Sequence, residues 1–276
     1  MFKKLAGNTA FYVFIAVFVV ISLLPFVWQG LTSIKTVAEI SSIPAQWIPR
    51  EPHLDFYVNV FTKHPFLRYM FNSLVVAAVT TVLSLLIGAS AGYSLGRLRF
   101  RGRGPLLILI LGVSMFPPIA NLSPLYLFLK NVGLLNTYAG LVIPYITFSL
   151  PMAVWLMANF FKQLPKEFEE AAAIDGCGRI ETYFRIMLPL VTPGLFSTGL
   201  LVFINSWNEY IYALTFMTKK EMMTVPVGIS MLPSNYELPW GDMSAATIVV
   251  TLPLIALVLI FQRRIISGLT TGGVKG

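Results

Sequence analysis

An all-α protein that crosses a membrane six times is what this sequence predicts, and three observations carry that reading. Hydrophobic residues make up 56% of 276 positions and charged ones only 12%, where soluble domains carry about a quarter charged. The mean hydropathy is +0.75. Six intervals hold no Asp, Glu, Lys or Arg: 5–34, 69–96, 104–129, 131–161, 186–208 and 243–262. Each supplies the roughly 20 apolar residues that a helix needs to cross about 30 Å of hydrocarbon. Period-two alternation is absent, so helices rather than barrel strands must satisfy the backbone in lipid. The expected spans are 10–30, 70–95, 105–129, 138–160, 193–217 and 244–262.

Lys3 and Lys4 precede the first apolar run, as in a secretory signal. The run from Phe11 to Trp28 is longer than a signal core and no small-x-small cleavage site follows, so it reads as a span. The connection at 31–67 carries Pro44, Pro49, Pro52 and Pro65, and reads as a short outer loop too small for a binding domain. His53 and His64 in it read as surface residues, since no metal motif surrounds them. The second span repeats small residues at Ala77, Ala78, Ser84, Gly88, Ala89, Ala91 and Gly92, which lets a neighbouring helix approach closely. After it, Arg97 to Gly104 alternates arginine with other residues and predicts a tight inner turn.

In the third span Pro117 and Pro118 remove helix hydrogen bonds, so a kink or break belongs there. Asn121, Ser123 and Pro124 follow at once. Freed carbonyls are tolerated only beside other helices or water, which places this segment inside the bundle or along a pathway. The fourth span contains Pro144 and Pro151. The fifth gathers Asn205, Ser206, Asn208 and Glu209 beside Trp207 and Tyr210. A carboxylate at membrane depth costs a few kcal/mol or more and seeks a partner or water. Counted from Pro193, Glu209 lies about 24 Å along the helix, toward the outer side. Asn121, Asn205, Trp207, Asn208, Glu209 and Tyr210 are therefore candidates for lining a solute pathway; an interfacial aromatic belt is the alternative.

Orientation follows the lysine and arginine count. With the N-terminus inside, thirteen fall on the inner side and seven on the outer, which puts both termini in the cytoplasm. The net charge of +8 then needs only topological bias and anionic lipid, not nucleic acid. Cys177 is alone, so no intrachain disulfide forms.

Nine of the thirty-two charged residues crowd into the 24 positions from Lys162 to Arg185. Glu167, Glu169 and Glu170 suit a helix N-terminus, with Pro165 in its first turn. Ala171, Ala172 and Ala173 are strong helix formers, and Gly176 and Gly178 are placed to end the helix in left-handed conformations. A second short helix is expected from Glu181 to Met187, stopping before Pro189. From composition alone this is an ordinary solvated loop. Yet the order Glu170, Ala171, Ala172, Asp175, Gly176, Ile186, Leu188 and Pro189, with Phe184 and Pro193, resembles the EAA loop of ABC importer permeases; Cys177 replaces a commoner alanine. PYITFSLPMAVWLM (144–157), FINSWNEY (203–210) and FQRRIISGLTTGGVKG (261–276) are similar to the smaller permease of carbohydrate importers in the maltose and trehalose group.

That resemblance implies the type I, MetI-like permease fold in one domain over 1–276, with 162–190 as the ATPase-coupling loop and 263–276 as a cytoplasmic tail. It also implies a sugar as cargo, with alternating access driven by a separate ATPase dimer in the cytoplasmic membrane. The other partners would be a second permease, an extracytoplasmic solute-binding protein and the lipid bilayer. No GxxxxGK[ST] phosphate loop is present in the sequence, so ATP and Mg²⁺ would sit on the partner, with no cofactor held here. The rival readings are a permease for amino acids or polyamines, which would lack the tail, and an ion-coupled carrier, which calls for more intramembrane acids than Glu209. A membrane-embedded enzyme would need a nucleophile-and-base or paired-carboxylate motif.

Overall fold

The computed structural model describes residues 2–232 and 239–270, with side chains over 11–232 and 239–262, and its regular elements are all helical. Two compact units are distinguished: Met1–Phe66 with Ile229–Pro253, and Leu67–Gly228 with Leu254–Gly276.

In the first unit, α1 (Phe2–Thr32) carries Pro25 within it, and the apolar window in Phe11–Thr32 is not buried at all. Two short helices, α2 (Val37–Ile40) and α3 (Asp55–Thr62), give the connection at 31–67 regular structure. Thr36 and Glu39 close a capping box at α2, each satisfying a backbone donor of the other's end. Glu39 also accepts the Arg50 amide at 2.7 Å. These backbone donors, Thr36 first, hold its carboxyl below the usual range. Lys35 is 2% exposed; its ammonium donates to the Gln46 carbonyl and lies 4.2 Å from the centre of the Trp28 ring.

The second unit begins its helices with α4 (Phe66–Arg97), then α5 (Arg103–Ser114), a 3₁₀ turn at Pro118–Asn121 and α6 (Leu122–Asn131). Next come α7 (Tyr138–Gln163), α8 (Glu167–Ile174), α9 (Arg179–Thr182), a π turn at Tyr183–Met187, α10 (Leu188–Leu190), α11 (Thr192–Asn208) and α12 (Ile211–Phe216), while the residues of α13 (Val225–Ser230) and α14 (Trp240–Thr270) are divided between the two units. Four helices are long and apolar enough to cross a membrane: Phe11–Thr32, Phe66–Arg97, Tyr138–Gln163 and Trp240–Gln262. Two more stretches reach that length as bent pairs, Arg103–Ser114 with Pro118–Asn131 at 82° and Arg179–Leu190 with Thr192–Asn208 at 75°, which makes six if each pair is one span.

Helix α7 is the post of this unit, packed by α5 and α11 and by a glycine face of α4. A Cβ built on Gly92 would stand 2.6 Å from the Met157 Cβ and 2.8 Å from the Ala158 nitrogen; on Gly96 it would meet the Ala158 carbonyl at 2.8 Å. Gly88, Gly92 and Gly96 recur at the four-residue spacing that keeps one helix face, so the small residues bring two backbones together. Pro144 and Pro151 are buried inside α7.

The break predicted at Pro117 and Pro118 is present, since both bend partners flank it. Four expectations need correcting. The fifth span does not run unbroken over 193–217: α11 ends at Asn208 and Glu209 turns extended (φ −66°, ψ 132°) before α12. Gly178 is extended (φ −70°, ψ 164°) and serves as the cap that starts α9; Gly176 alone takes the left-handed role, at φ +80°. The second short helix does not stop before Pro189, because Pro189 occupies the first turn of α10, where its missing N–H costs nothing. Pro165 likewise precedes α8, whose cap is Lys166. The tail is helical in backbone to Thr270, and 271–276 lie outside the described residues.

Candidate functional site

Two sites were expected, and the structure builds each from elements far apart in sequence. The first is the loop at 162–190. Its helix α8 closes with a double bond pattern: the Gly176 amide donates to the Ala173 carbonyl at 3.2 Å and the Cys177 amide to Ala172 at 2.9 Å. Gly176 permits this because the closure needs a left-handed residue at that position. Below the helix, Tyr183, Met187 and Val191 enter a buried cluster with Ala89 and Tyr93 of α4 and Met157 and Phe161 of α7. Tyr93 lies 5.4 Å from Phe161 and 5.1 Å from Tyr183, ring centre to ring centre.

A polar latch completes the seat. Arg97, at the end of α4, donates to Glu169 from Nη2 at 2.6 Å and from Nε at 3.0 Å. Its Nη1 donates to the Leu164 carbonyl at 2.8 Å, and Tyr93 donates to the other oxygen of Glu169 at 3.2 Å. The arginine side chain is 5% exposed. Both arginine donors converge on Oε2 of Glu169 while Tyr93 holds Oε1, so the carboxylate is fixed in orientation as well as distance.

Of the expected coupling residues, Glu170, Ala171, Asp175, Gly176 and Pro189 are exposed, Ile186 and Leu188 are half-buried, and Ala172 is buried against the chain. The Glu-Ala-Ala triplet therefore turns Ala172 inward and leaves Glu170 and Ala171 outward. Around them stand three apolar side chains that spacing did not single out as a group: Ile174 at 86% exposure, Ile180 at 76% and Phe184 at 58%. Large exposed apolar groups on a segment between spans mark a contact surface. Their signal was readable only once α8 and α9 were folded back on each other.

The second site is a cavity of about 490 Å³ lined by Ser149, Asn205, Ser206, Glu209, Tyr145 and Tyr212 among others. It forms where two breaks meet: Pro118, after α5, and Glu209, after α11, both face it. Glu209 accepts from the Tyr145 hydroxyl, from the Tyr212 amide at 2.9 Å and from the Ala213 amide at 3.1 Å. It thus caps the otherwise open amides of α12. The Tyr212 hydroxyl donates to the Pro118 carbonyl at 2.7 Å, which closes the gap left by the proline break. Asn205 and Glu209 are at this cavity. Trp207 is buried and stacked on Phe203, 5.7 Å between rings, and Asn208 and Tyr210 are exposed; none of the three lines it. Asn121 lines a neighbouring cavity of about 510 Å³ with Phe116, Phe128 and Thr147. Phe148 borders both.

Chemically the 490 Å³ cavity offers two hydroxyl-bearing tyrosines, three serines, an amide and a carboxylate on an apolar wall. Tyr145, Ser149 and Tyr212 escaped the sequence reading because isolated hydroxyls in apolar runs carry no spacing signal.

Comparison with known proteins gives one answer. The family model described as binding-protein-dependent transport system inner membrane component matches residues 84–271. The chain is 41% identical to the trehalose/maltose transport system permease protein MalG of Thermococcus litoralis, covering 93% of each. It is 39% identical to the sulfoquinovosyl glycerol transport system permease protein SmoH of Agrobacterium fabrum, over 98% of this chain and 95% of that one. Against the trehalose transport system permease protein SugB of Mycobacterium tuberculosis it is 38% identical, over 92% and 93%. Among solved structures, a chain of a bacterial ABC transporter involved in the import of the acidic polysaccharide alginate superposes with a TM-score of 0.80 at 22% identity, over 95% of this chain and 97% of that one. The match over 84–271 takes in the fourth span, the α8 seat, both breaks and the cavity, and the chain belongs to the family of binding-protein-dependent transport system inner membrane components.

Proposed function

We propose that this chain is one of two membrane permeases in an ATP-driven sugar importer of the cytoplasmic membrane. The observation that carries the mechanism is the outward face of α8 and α9, apolar and acidic, held rigidly to α4 by Arg97. A cleft on a separate ATPase subunit would grip that face, and its closure would move α4 and α7 with it. Rocking of packed helices is sufficient for alternating access. ATP and Mg²⁺ stay on the ATPase, and this chain contributes motion and a passage. An extracytoplasmic binding protein would deliver the solute, and a second permease would complete the passage.

The cargo assignment draws support from relatives named for trehalose, maltose and sulfoquinovosyl glycerol, at 38–41% identity over nearly the whole chain. It also suits the cavity, whose hydroxyls, amide and carboxylate can exchange hydrogen bonds with sugar hydroxyls while Phe148 covers an apolar face. The N- and C-termini and α8 are placed in the cytoplasm by the lysine and arginine bias. In proteoliposomes holding the assembled importer, Glu170→Ala and Gly176→Pro are each expected to abolish ATP-driven sugar uptake while the permease still inserts and co-purifies with its partner permease. Uptake at the wild-type rate in both would reject the docking role.

A further inference from the structure

Beside the α8 seat, and sharing Arg97, Glu169 and Glu170 with it, lies a cleft of about 610 Å³. Its wall is basic: Arg97, Arg99, Arg103, Lys162, Lys166 and Arg179 face it, against Glu169 and Glu170. Arg97 and Glu169 neutralise each other at 2.6 Å. Arg99, Lys162, Lys166 and Arg179 are exposed and form no ion pair with a described residue, while Arg103 gives one long bond, 3.3 Å, to the Leu98 carbonyl. The cleft therefore concentrates cations with one acid, Glu170, left to offset them. Such a pocket calls for an anion with several oxygen acceptors.

Position narrows the anion. The cleft sits where α4 ends, α5 begins and α7 ends, so it lies at the level where three membrane-crossing stretches leave the hydrocarbon. From its mouth α5 leads away, exposing Leu106 at 41%, Ile108 at 72% and Leu109 at 67%. We propose that this cleft binds the phosphodiester headgroup of an anionic phospholipid, whose acyl chains run along that apolar strip of α5. A soluble phosphate compound matches the cations equally well but makes no contact with the strip. Clustered basic side chains at a membrane surface attract acidic headgroups, each contributing independently. Occupancy would bind the α4 end, the α5 start and the α8 seat into one block, making coupling dependent on membrane composition. Which leaflet supplies the lipid rests on the cytoplasmic placement proposed above; binding itself does not.

The test uses the assembled importer in detergent, with bound lipids counted by native mass spectrometry as phosphatidylglycerol or phosphatidylcholine is added. Arg99→Gln with Lys162→Gln removes two cleft charges; Arg101→Gln with Arg185→Gln removes two charges that do not line it. The expected result is retained phosphatidylglycerol in wild type and control, apparent affinity lower by about tenfold or more in the cleft variant, and no such difference with phosphatidylcholine. Equal loss in both variants would show a diffuse field and overturn the site. Displacement by millimolar inorganic phosphate would assign the cleft to a soluble anion instead. Loss of the ATPase subunit from the cleft variant, with lipid retention unchanged, would assign it to that partner's acidic surface. Each of these results is independent of whether sugar is transported.

Discussion

Glu209 has two possible duties, and its surroundings separate them. As a cap it satisfies the Tyr212 and Ala213 amides, for which any acceptor of similar shape suffices. As a wall of the cavity it offers a full negative charge. Glu209→Gln keeps an acceptor oxygen for the amides and removes the charge, whereas Glu209→Ala removes both and should cost about 0.5–2 kcal/mol of helix stability. If the carboxylate contacts the sugar, Glu209→Gln leaves expression and thermal stability near wild type and raises the apparent KM for uptake severalfold. Tyr145→Phe, which deletes the hydroxyl that donates to it, shifts KM in the same direction. Wild-type kinetics in both variants would leave only the capping duty. The sequence made Glu209 visible, because a lone acid in an apolar stretch is anomalous. It did not show the chain break beside it, since neither glycine nor proline marks 209–210.

Among elements, α8 carries the proposed coupling. Its acidic first turn and glycine stop were readable from residue type alone. What secures it was not, because Arg97 lies 72 residues from Glu169 in a turn whose arginines look alike in sequence. Of those four, only Arg97 is locked into an ion pair with a described residue. Removing one partner of a mostly buried pair typically costs about 3–5 kcal/mol. Arg97→Ala is therefore expected to free α8 while the spans stay packed: ATP hydrolysis by the assembled importer continues, and its stimulation by solute-loaded binding protein falls. Arg97→Lys restores it in part, since one ammonium keeps the charge but cannot hold both Glu169 and the Leu164 carbonyl as the guanidinium does. Stimulation unchanged in Arg97→Ala would show that the cluster around Tyr183 and Met187 seats α8 unaided. Gly92→Leu tests the adjoining glycine face of α4. With Met157 Cβ 2.6 Å from the added carbon the helices must separate, and the thermal transition of the purified protein should drop by several degrees, as overpacking costs about 1–3 kcal/mol; an unshifted transition would show that the α4–α7 contact yields freely.

At the scale of the molecule, six apolar stretches and the break at Pro117–Pro118 followed from composition and proline chemistry. The folded cap around Lys35 did not, because a proline-spaced polar connection gives no hint that one of its lysines is buried. Which side of the membrane holds α8 is a property of the whole chain, and the proposed side rests on thirteen basic residues against seven. The lone Cys177 reports it directly, since it sits half-buried in the turn between α8 and α9. A membrane-impermeant maleimide should label it in inside-out vesicles and not in right-side-out ones. Labelling should fall once the ATPase is bound, because the exposed Ile174 and Ile180 bracket the thiol and would be covered with it. Labelling from the outside would invert the topology and leave the docking face without access to ATP. Inside-only labelling that the ATPase does not suppress would keep the topology and move the docking surface elsewhere on the same side. Orientation and coupling thus stand or fall on separate readings of one sulfur atom.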